Sequence, residues 1–345
     1  MAKGILYGAV LLLTFVLTVI ILRFLIPYLK SKKMGQKILD IGPRWHKNKE
    51  GTPAMGGLAF IIASFAVLAA AVTVGAALGV LKNVAGLALV YGYALLNGLI
   101  GTVDDRTKFK KGQNQGLTAV QKYALQFLAA AVFLFVGVFT GLIPGRAADA
   151  LYIPFFGAVP WMSSAVFRVF YYVFSLLLLT GIVNAVNLTD GIDGLSSSVT
   201  LTVGVGFTVL CAFVAPSGNE EGLILSAALI GSCGGFLVYN FHPAKVFMGD
   251  TGSLFLGGYV IGLAFLVKNP LIVIFFGIVY ILETLSVILQ VGYFKLTHGK
   301  RLFKMSPIHH HFEKCGWSEV RIVSVFSAVA LLFCFVGLIG CGLFS

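Results

Sequence analysis

The chain has 345 residues, 58% of them hydrophobic and only 11% charged, with a net charge of +12. Soluble domains carry about 25% charged residues, so this balance excludes one and calls for an integral membrane protein. The apolar runs are continuous, without the alternating polarity of a transmembrane barrel, which sets the fold class as all-α.

A helix crossing the hydrocarbon needs roughly 20 mostly apolar residues. Ten runs meet that need, at about 4-26, 54-75, 84-103, 119-141, 166-186, 195-215, 222-240, 252-268, 271-294 and 322-343, and residues 1-345 read as a single polytopic transmembrane catalytic domain. The first run reads as a retained span: it is long for a signal peptide, has a single Lys3 before it and lacks a small-residue cleavage site. Of the 25 Lys and Arg, all but Lys3, Lys82, Arg146, Arg168 and Lys268 fall in alternate loops. Basic loops stay in the cytoplasm, so both termini are expected on the extracytoplasmic side. The basic face reads as a topology signal with attraction for anionic lipid. No nucleic-acid-binding motif accompanies it, so no nucleic acid is expected as partner. Five cysteines form no close pair, which argues against a zinc site or a disulfide framework.

Along the chain, three polar segments interrupt the apolar pattern at one expected membrane face: Gly101-Thr-Val-Asp-Asp105, Asn187-Leu-Thr-Asp-Gly-Ile-Asp-Gly194 and Phe247-Met-Gly-Asp-Thr-Gly-Ser253. A lone loop aspartate is ordinarily a helix cap or a turn former. Asp104, Asp105, Asp190, Asp193 and Asp250 at one depth are harder to assign to turns, because carboxylates beside hydrocarbon are disfavoured without cations or water. Magnesium takes oxygen ligands and is commonly held by one or two carboxylates together with substrate phosphates. Phosphoryl transfer asks mainly for positioning and charge neutralisation, for which Lys49, Lys108 and Lys122 stand in neighbouring loops. The sequence thus predicts an active site at the cytoplasmic face, with Mg²⁺ as cofactor. Glu283, near the middle of the ninth run, is expected to hydrogen-bond between helices, too deep to join the chemistry. In the last long loop, consecutive His309, His310 and His311 lack the spacing of a helical zinc pair; contact with phosphate is expected instead.

Together with Gly51-Thr-Pro-Ala-Met-Gly-Gly57, Asn240 and Pro307-Ile-His-His-His-Phe-Glu313, these motifs resemble the phospho-N-acetylmuramoyl-pentapeptide transferases, a branch of the polyprenyl-phosphate N-acetylhexosamine-1-phosphate transferase superfamily. The resemblance covers nearly the whole chain. It implies a multi-pass enzyme of the bacterial inner membrane that forms lipid I and UMP from UDP-MurNAc-pentapeptide and undecaprenyl phosphate in peptidoglycan biosynthesis, working as a homodimer. It implies that Asp250 is the Mg²⁺ ligand, and that Asp104, with Asp105 beside it, deprotonates or orients the lipid phosphate. Asn187, Asp190 and Asn240 would shape the polar site, Asp193 and Phe247 would hold uridine, and Lys49, Lys122 and His309 to His311 would contact diphosphate or sugar. The sequence departs from the family pattern at Ala54, usually threonine, and at Trp45, commonly serine, so hydroxyl contacts from these two positions are not expected. Two rival readings are a sister enzyme transferring GlcNAc-1-phosphate, against which the triple histidine speaks, and a membrane transporter, against which speaks the gathering of acids at one face and not at the midplane.

Overall fold

The computed structural model describes residues 2–32, 35, 49–111, 115–144, 151–159, 164–214 and 219–343. Trp45, together with Lys33, Lys37, Arg44, Lys47 and Arg146, lies outside the described residues. In chain order the elements are α1 (Ala2–Ser31), α2 (Gly57–Ala77), α3 (Ala85–Lys111), α4 (Ala119–Phe139), an antiparallel hairpin of β1 (Leu151–Ile153) and β2 (Gly157–Val159), α5 (Ala165–Thr189), α6 (Leu195–Val209), α7 (Glu220–Asn240), α8 (Gly249–Leu266), a single turn α9 (Val273–Phe276), α10 (Ile278–Leu296), a short α11 (Ile308–Glu313) and α12 (Glu319–Gly340). A π-helical turn, Leu210–Val214, prolongs α6. Ten of these helices are long and apolar enough to cross a membrane, so the chain is an all-α membrane protein apart from the small hairpin.

Local signals place several helix starts. Thr118 accepts from the Gln121 N–H while the Gln121 side chain accepts from the Thr118 N–H, a reciprocal cap on α4. Asn219 caps α7, whose first turn holds Glu220 and Glu221 at the positive end of the helix dipole. Ser318 caps α12.

α8 is the axis of the bundle. It packs on α2, α3, α5, α6 and α7, and 83% of its apolar window is buried, against 28% for α1. A helix apolar on every side belongs inside. Without a hydrophobic drive between helices in lipid, such packing relies on small residues that let backbones approach. Gly57 supplies one such place: a Cβ there would lie 2.3 Å from the Gly252 Cα. The Gly56–Gly57 end of the motif is therefore a packing device, and backbone bonds from Gly56 to the Phe247 carbonyl (2.8 Å) and from Gly57 to the Met248 carbonyl (3.1 Å) lock α2 to the start of α8. Ala54 is buried beside it.

Two boundaries depart from expectation. α3 continues past the apolar run ending near 103 to Lys111, because Asp104 and Lys108 pair across one turn at 2.7 Å. Asp104 and Asp105 therefore stand on a helix, not in a loop. The ninth run, expected unbroken over 271-294, is interrupted at Gly277, which ends α9 before α10 begins.

Candidate active site

The last turns of α3, the end of α5 and the first turn of α8 meet at one end of the bundle. Asp250 is the centre of this meeting. Its Oδ2 accepts from Lys108 Nζ and Lys122 Nζ, both at 2.8 Å, and its Oδ1 from Asn187 Nδ2 at 2.9 Å. Asn187 also donates to Ser253 Oγ at 2.7 Å. On α5, Asn184 lies one turn before Asn187 and forms a reciprocal amide pair with Gln126 of α4 (2.8 and 3.4 Å). Asn184 and Asn187 therefore share a face that points into the bundle.

Asp104 and Asp105, adjacent in sequence, do different work. Asp104 Oδ1 accepts the Leu117 N–H at 2.7 Å and its Oδ2 pairs with Lys108 at 2.7 Å. Asp105 faces α8: its carboxylate accepts the N–H of Asp250 (3.2 Å), the N–H of Thr251 (2.9 Å) and the Thr251 hydroxyl (2.8 Å). Asp105 is thus an N-terminal cap supplied by another helix, and it fixes the turn that carries Asp250. Lys108 touches all three carboxylates, with Asp105 at 3.7 Å. Three carboxylates against two ammoniums leave room for a further cation. One oxygen from each of Asp104, Asp105 and Asp250 lies within 4.8 Å of the others, an all-oxygen donor set of the kind Mg²⁺ takes.

A second cluster stands beside the first. Lys49 donates to Asp193 Oδ1 (2.7 Å) and Glu319 Oε2 (2.6 Å). Glu319 also accepts the Asp193 N–H at 2.9 Å, and Asp193 Oδ2 accepts from His242 Nδ1 and the Ala244 N–H, both at 3.0 Å. Glu319 and His242 were not anticipated from sequence, because a glutamate just after Ser318 reads as an ordinary first-turn residue of α12 and a histidine before Pro243 reads as a turn. Asn240 is buried and committed to the backbone, accepting the Gly194 N–H (3.1 Å) and donating to the Val246 carbonyl (2.9 Å). It shapes the site by tying two of its loops together. Phe247 is partly exposed and held in line by its N–H to the Pro53 carbonyl (2.8 Å).

The three histidines point different ways. His309 is buried, and its Nδ1 donates to Glu283 Oε2 at 3.0 Å. His310 Nδ1 donates to Glu313 Oε2 at 2.6 Å, and His311 Nδ1 accepts the Lys304 N–H at 3.1 Å. Glu283 makes the hydrogen bond between helices expected of it, from α10 to His309 on α11. The chain through α11 folds back onto α10, which brings His309 to Glu283 and sets its Nε2 against Gly191.

Asp190 lies between them as well. Loss of surrounding water, then the carboxylates of Asp250, Asp105 and Asp193, push its carboxyl up to about 8. The unfolded group ionises near 3.8. The neutral carboxyl therefore favours the folded state fully below that value, and the advantage is lost as pH rises towards 8. Asp190→Asn should melt at an increasingly higher temperature than the wild type between about pH 5 and about pH 8.5 in magnesium-free detergent. A difference that stays constant with pH would show that Asp190 is ionised throughout.

Helices that cross a membrane and deliver carboxylates, lysines and asparagines to one end define a membrane-embedded enzyme for phosphorylated substrates, and known proteins bear this out. The family profile described as Glycosyl transferase family 4 matches residues 87–268, so the class is a transferase. Proteins called phospho-N-acetylmuramoyl-pentapeptide-transferase from Heliobacterium modesticaldum (46% identical over 318 residues, 92% of each chain), Caldicellulosiruptor bescii (42% over 332 residues, 95% of each) and Clostridioides difficile (41% over 328 residues, 95% of each) are among its relatives. The chain belongs to the phospho-N-acetylmuramoyl-pentapeptide-transferase family.

Proposed function

We propose that this enzyme transfers phospho-MurNAc-pentapeptide from UDP-MurNAc-pentapeptide to undecaprenyl phosphate, releasing UMP and forming lipid I for peptidoglycan. The observation that carries this reading is the Asp104–Lys108–Asp250–Lys122 cluster at the ends of membrane helices, where a lipid phosphate and a soluble nucleotide can meet. The charge bias of the loops supports a cytoplasmic location for that end, with both termini outside. The whole chain acts as one catalytic domain of a bacterial inner-membrane protein, working as a homodimer as the family resemblance implies.

Lys108 and Lys122 hold phosphate oxygens when the substrates enter, exchanging Asp250 for the diphosphate as their partner. Asp104, the carboxylate not committed to a helix end, orients the lipid phosphate or takes its proton, so that one of its oxygens attacks the sugar-bearing phosphorus as UMP leaves. Asp105 and Asn187 keep Asp250 in place. Lys49, Asp193 and Phe247 receive the nucleoside end, and Asp190 and His309 to His311 flank the diphosphate and sugar. Both substrates sit in one cleft, which favours direct transfer over a covalent intermediate. The residues that would hold Mg²⁺ are Asp250 and, beside it, Asp104, with Asp105 supporting both. Bound there, the ion supplies neutralisation of the diphosphate charge.

The test is UMP release by purified enzyme in detergent with both substrates, with and without Mg²⁺. Release that requires the lipid phosphate and the metal is expected. A preference for UDP-GlcNAc, or UMP released before any lipid phosphate is added, would refute the substrate assignment or the direct route respectively.

A further inference from the structure

The buried face of α10 consists of Val279, Tyr280, Glu283, Ser286 and Gln290. Its three polar members recur at spacings of three and four residues, so they form one stripe along the helix. At one end Gln290 Oε1 accepts the N–H groups of Leu302 (3.1 Å) and Phe303 (2.9 Å), and its Nε2 donates to the Phe303 carbonyl at 3.3 Å. At the other end Glu283 Oε2 accepts from His309 Nδ1 at 3.0 Å and from the His309 N–H at 3.4 Å. The stripe therefore grips the chain at two points, before α11 at Leu302 and Phe303 and on α11 itself at His309.

Gln290 does this with a neutral amide. Glu283 does it with a carboxylate deep in the fold, at 0% exposure, where a charged group is disfavoured unless it is bonded. Tethering alone does not require that group, and the pair leaves two buried atoms unpartnered, Glu283 Oε1 and His309 Nε2. Nε2 abuts Gly191, where a Cβ would lie 2.2 Å from it. Gly191 is itself exposed and sits between Asp190 and Asp193. A carboxylate that accepts one ring N–H settles which nitrogen is protonated and how the ring is turned, and hence what the other nitrogen presents.

We infer that Glu283 is a positioning residue for the transfer reaction, acting through His309: it fixes the ring so that Nε2 is directed at the Asp190–Gly191 segment between the two clusters. This rests on the transferase reading above. Glu283 touches neither cluster, and its effect passes through one imidazole.

The test is a double-mutant cycle of Glu283→Gln and His309→Asn, reading kcat, the KM for the nucleotide sugar and melting temperature in detergent. Glu283→Gln keeps the shape of the side chain but can turn its donor towards Nδ1, so kcat should fall by roughly 10- to 100-fold, as when an orienting partner is removed, with little change in KM or melting temperature. In the His309→Asn background the same change should have no further effect on kcat. A wild-type kcat in Glu283→Gln, or an equal loss with and without His309, overturns the inference. Should Glu283→Gln fail to fold, Glu283→Asp, which keeps the charge but draws it back from the ring, takes its place, and unfolding of both makes Glu283 a structural strut and overturns the inference as well. An inactive wild type refutes the transferase reading itself, and this role with it.

Discussion

Asp250→Asn is expected to reduce UMP release by about 10²–10³-fold or more, the scale set by removing one preorganised electrostatic group from an active site. The substitution keeps the shape of the side chain, and Asp105 still caps α8. What it removes is the charge that holds Lys108 and Lys122, each 2.8 Å away. Asparagine can offer its oxygen to one ammonium but cannot neutralise two, and it is a weaker ligand for a divalent cation. The fold should survive, because Lys108 retains Asp104 at 2.7 Å. Rate and melting temperature measured on the same preparation separate the two effects. A variant that keeps a tenth of the wild-type rate, or loses rate only as it loses stability, would place the essential charge elsewhere.

Gly101→Ala should be nearly as damaging through a different cause. A Cβ at 101 would lie 2.1 Å from the Asp250 carbonyl oxygen and 2.6 Å from the Thr251 nitrogen, and backbone cannot swing away as a side chain can. Either α3 or α8 must shift. Overpacking of this kind costs about 1–3 kcal/mol, and here the displaced element carries Asp250, so activity should fall together with melting temperature. Gly92 in the same helix is the control, since a Cβ there meets nothing within 4 Å. Gly92→Ala should be neutral, or stabilising by roughly 0.5–1 kcal/mol through helix propensity. Equal behaviour of the two variants in a thermal melt would show that the contact between α3 and α8 is looser than described.

Much of the fold was legible because its signals are local. Each apolar run marks a helix, and Asp104, Asp250 and Asn187 interrupt their runs where polar groups are expensive. What stayed hidden depends on pairing across long separations. Nothing near Asp105 announces that it caps a helix at Asp250, 145 residues later, and nothing near Glu319 announces Lys49, 270 residues away. Asn240 was expected to shape the polar site, but that it does so by bonding Gly194 and Val246 is a tertiary fact. Glu283 was placed by its depth in an apolar run, whereas its partner arrives on α11, which folds back onto α10. The spacing of Glu283, Ser286 and Gln290 was a usable sign of that docking, although it does not say what docks.

The central position of α8 also bears on how the chain is made. Its mean hydropathy, 1.3, is lower than that of any other spanning helix, against 2.8 for α1 and α12. Alone it is a poor candidate for entry into lipid, since insertion follows apolarity. Yet α2, α3, α5, α6 and α7, the helices packed on it, are all synthesised before it. During biogenesis α8 can slot between proteins walls already threaded through the bilayer, and the site acquires Asp250 only at that late moment. A nascent chain halted before α8 would carry Asp105 with no helix start to cap, and Lys108 and Lys122 without the carboxylate that holds them.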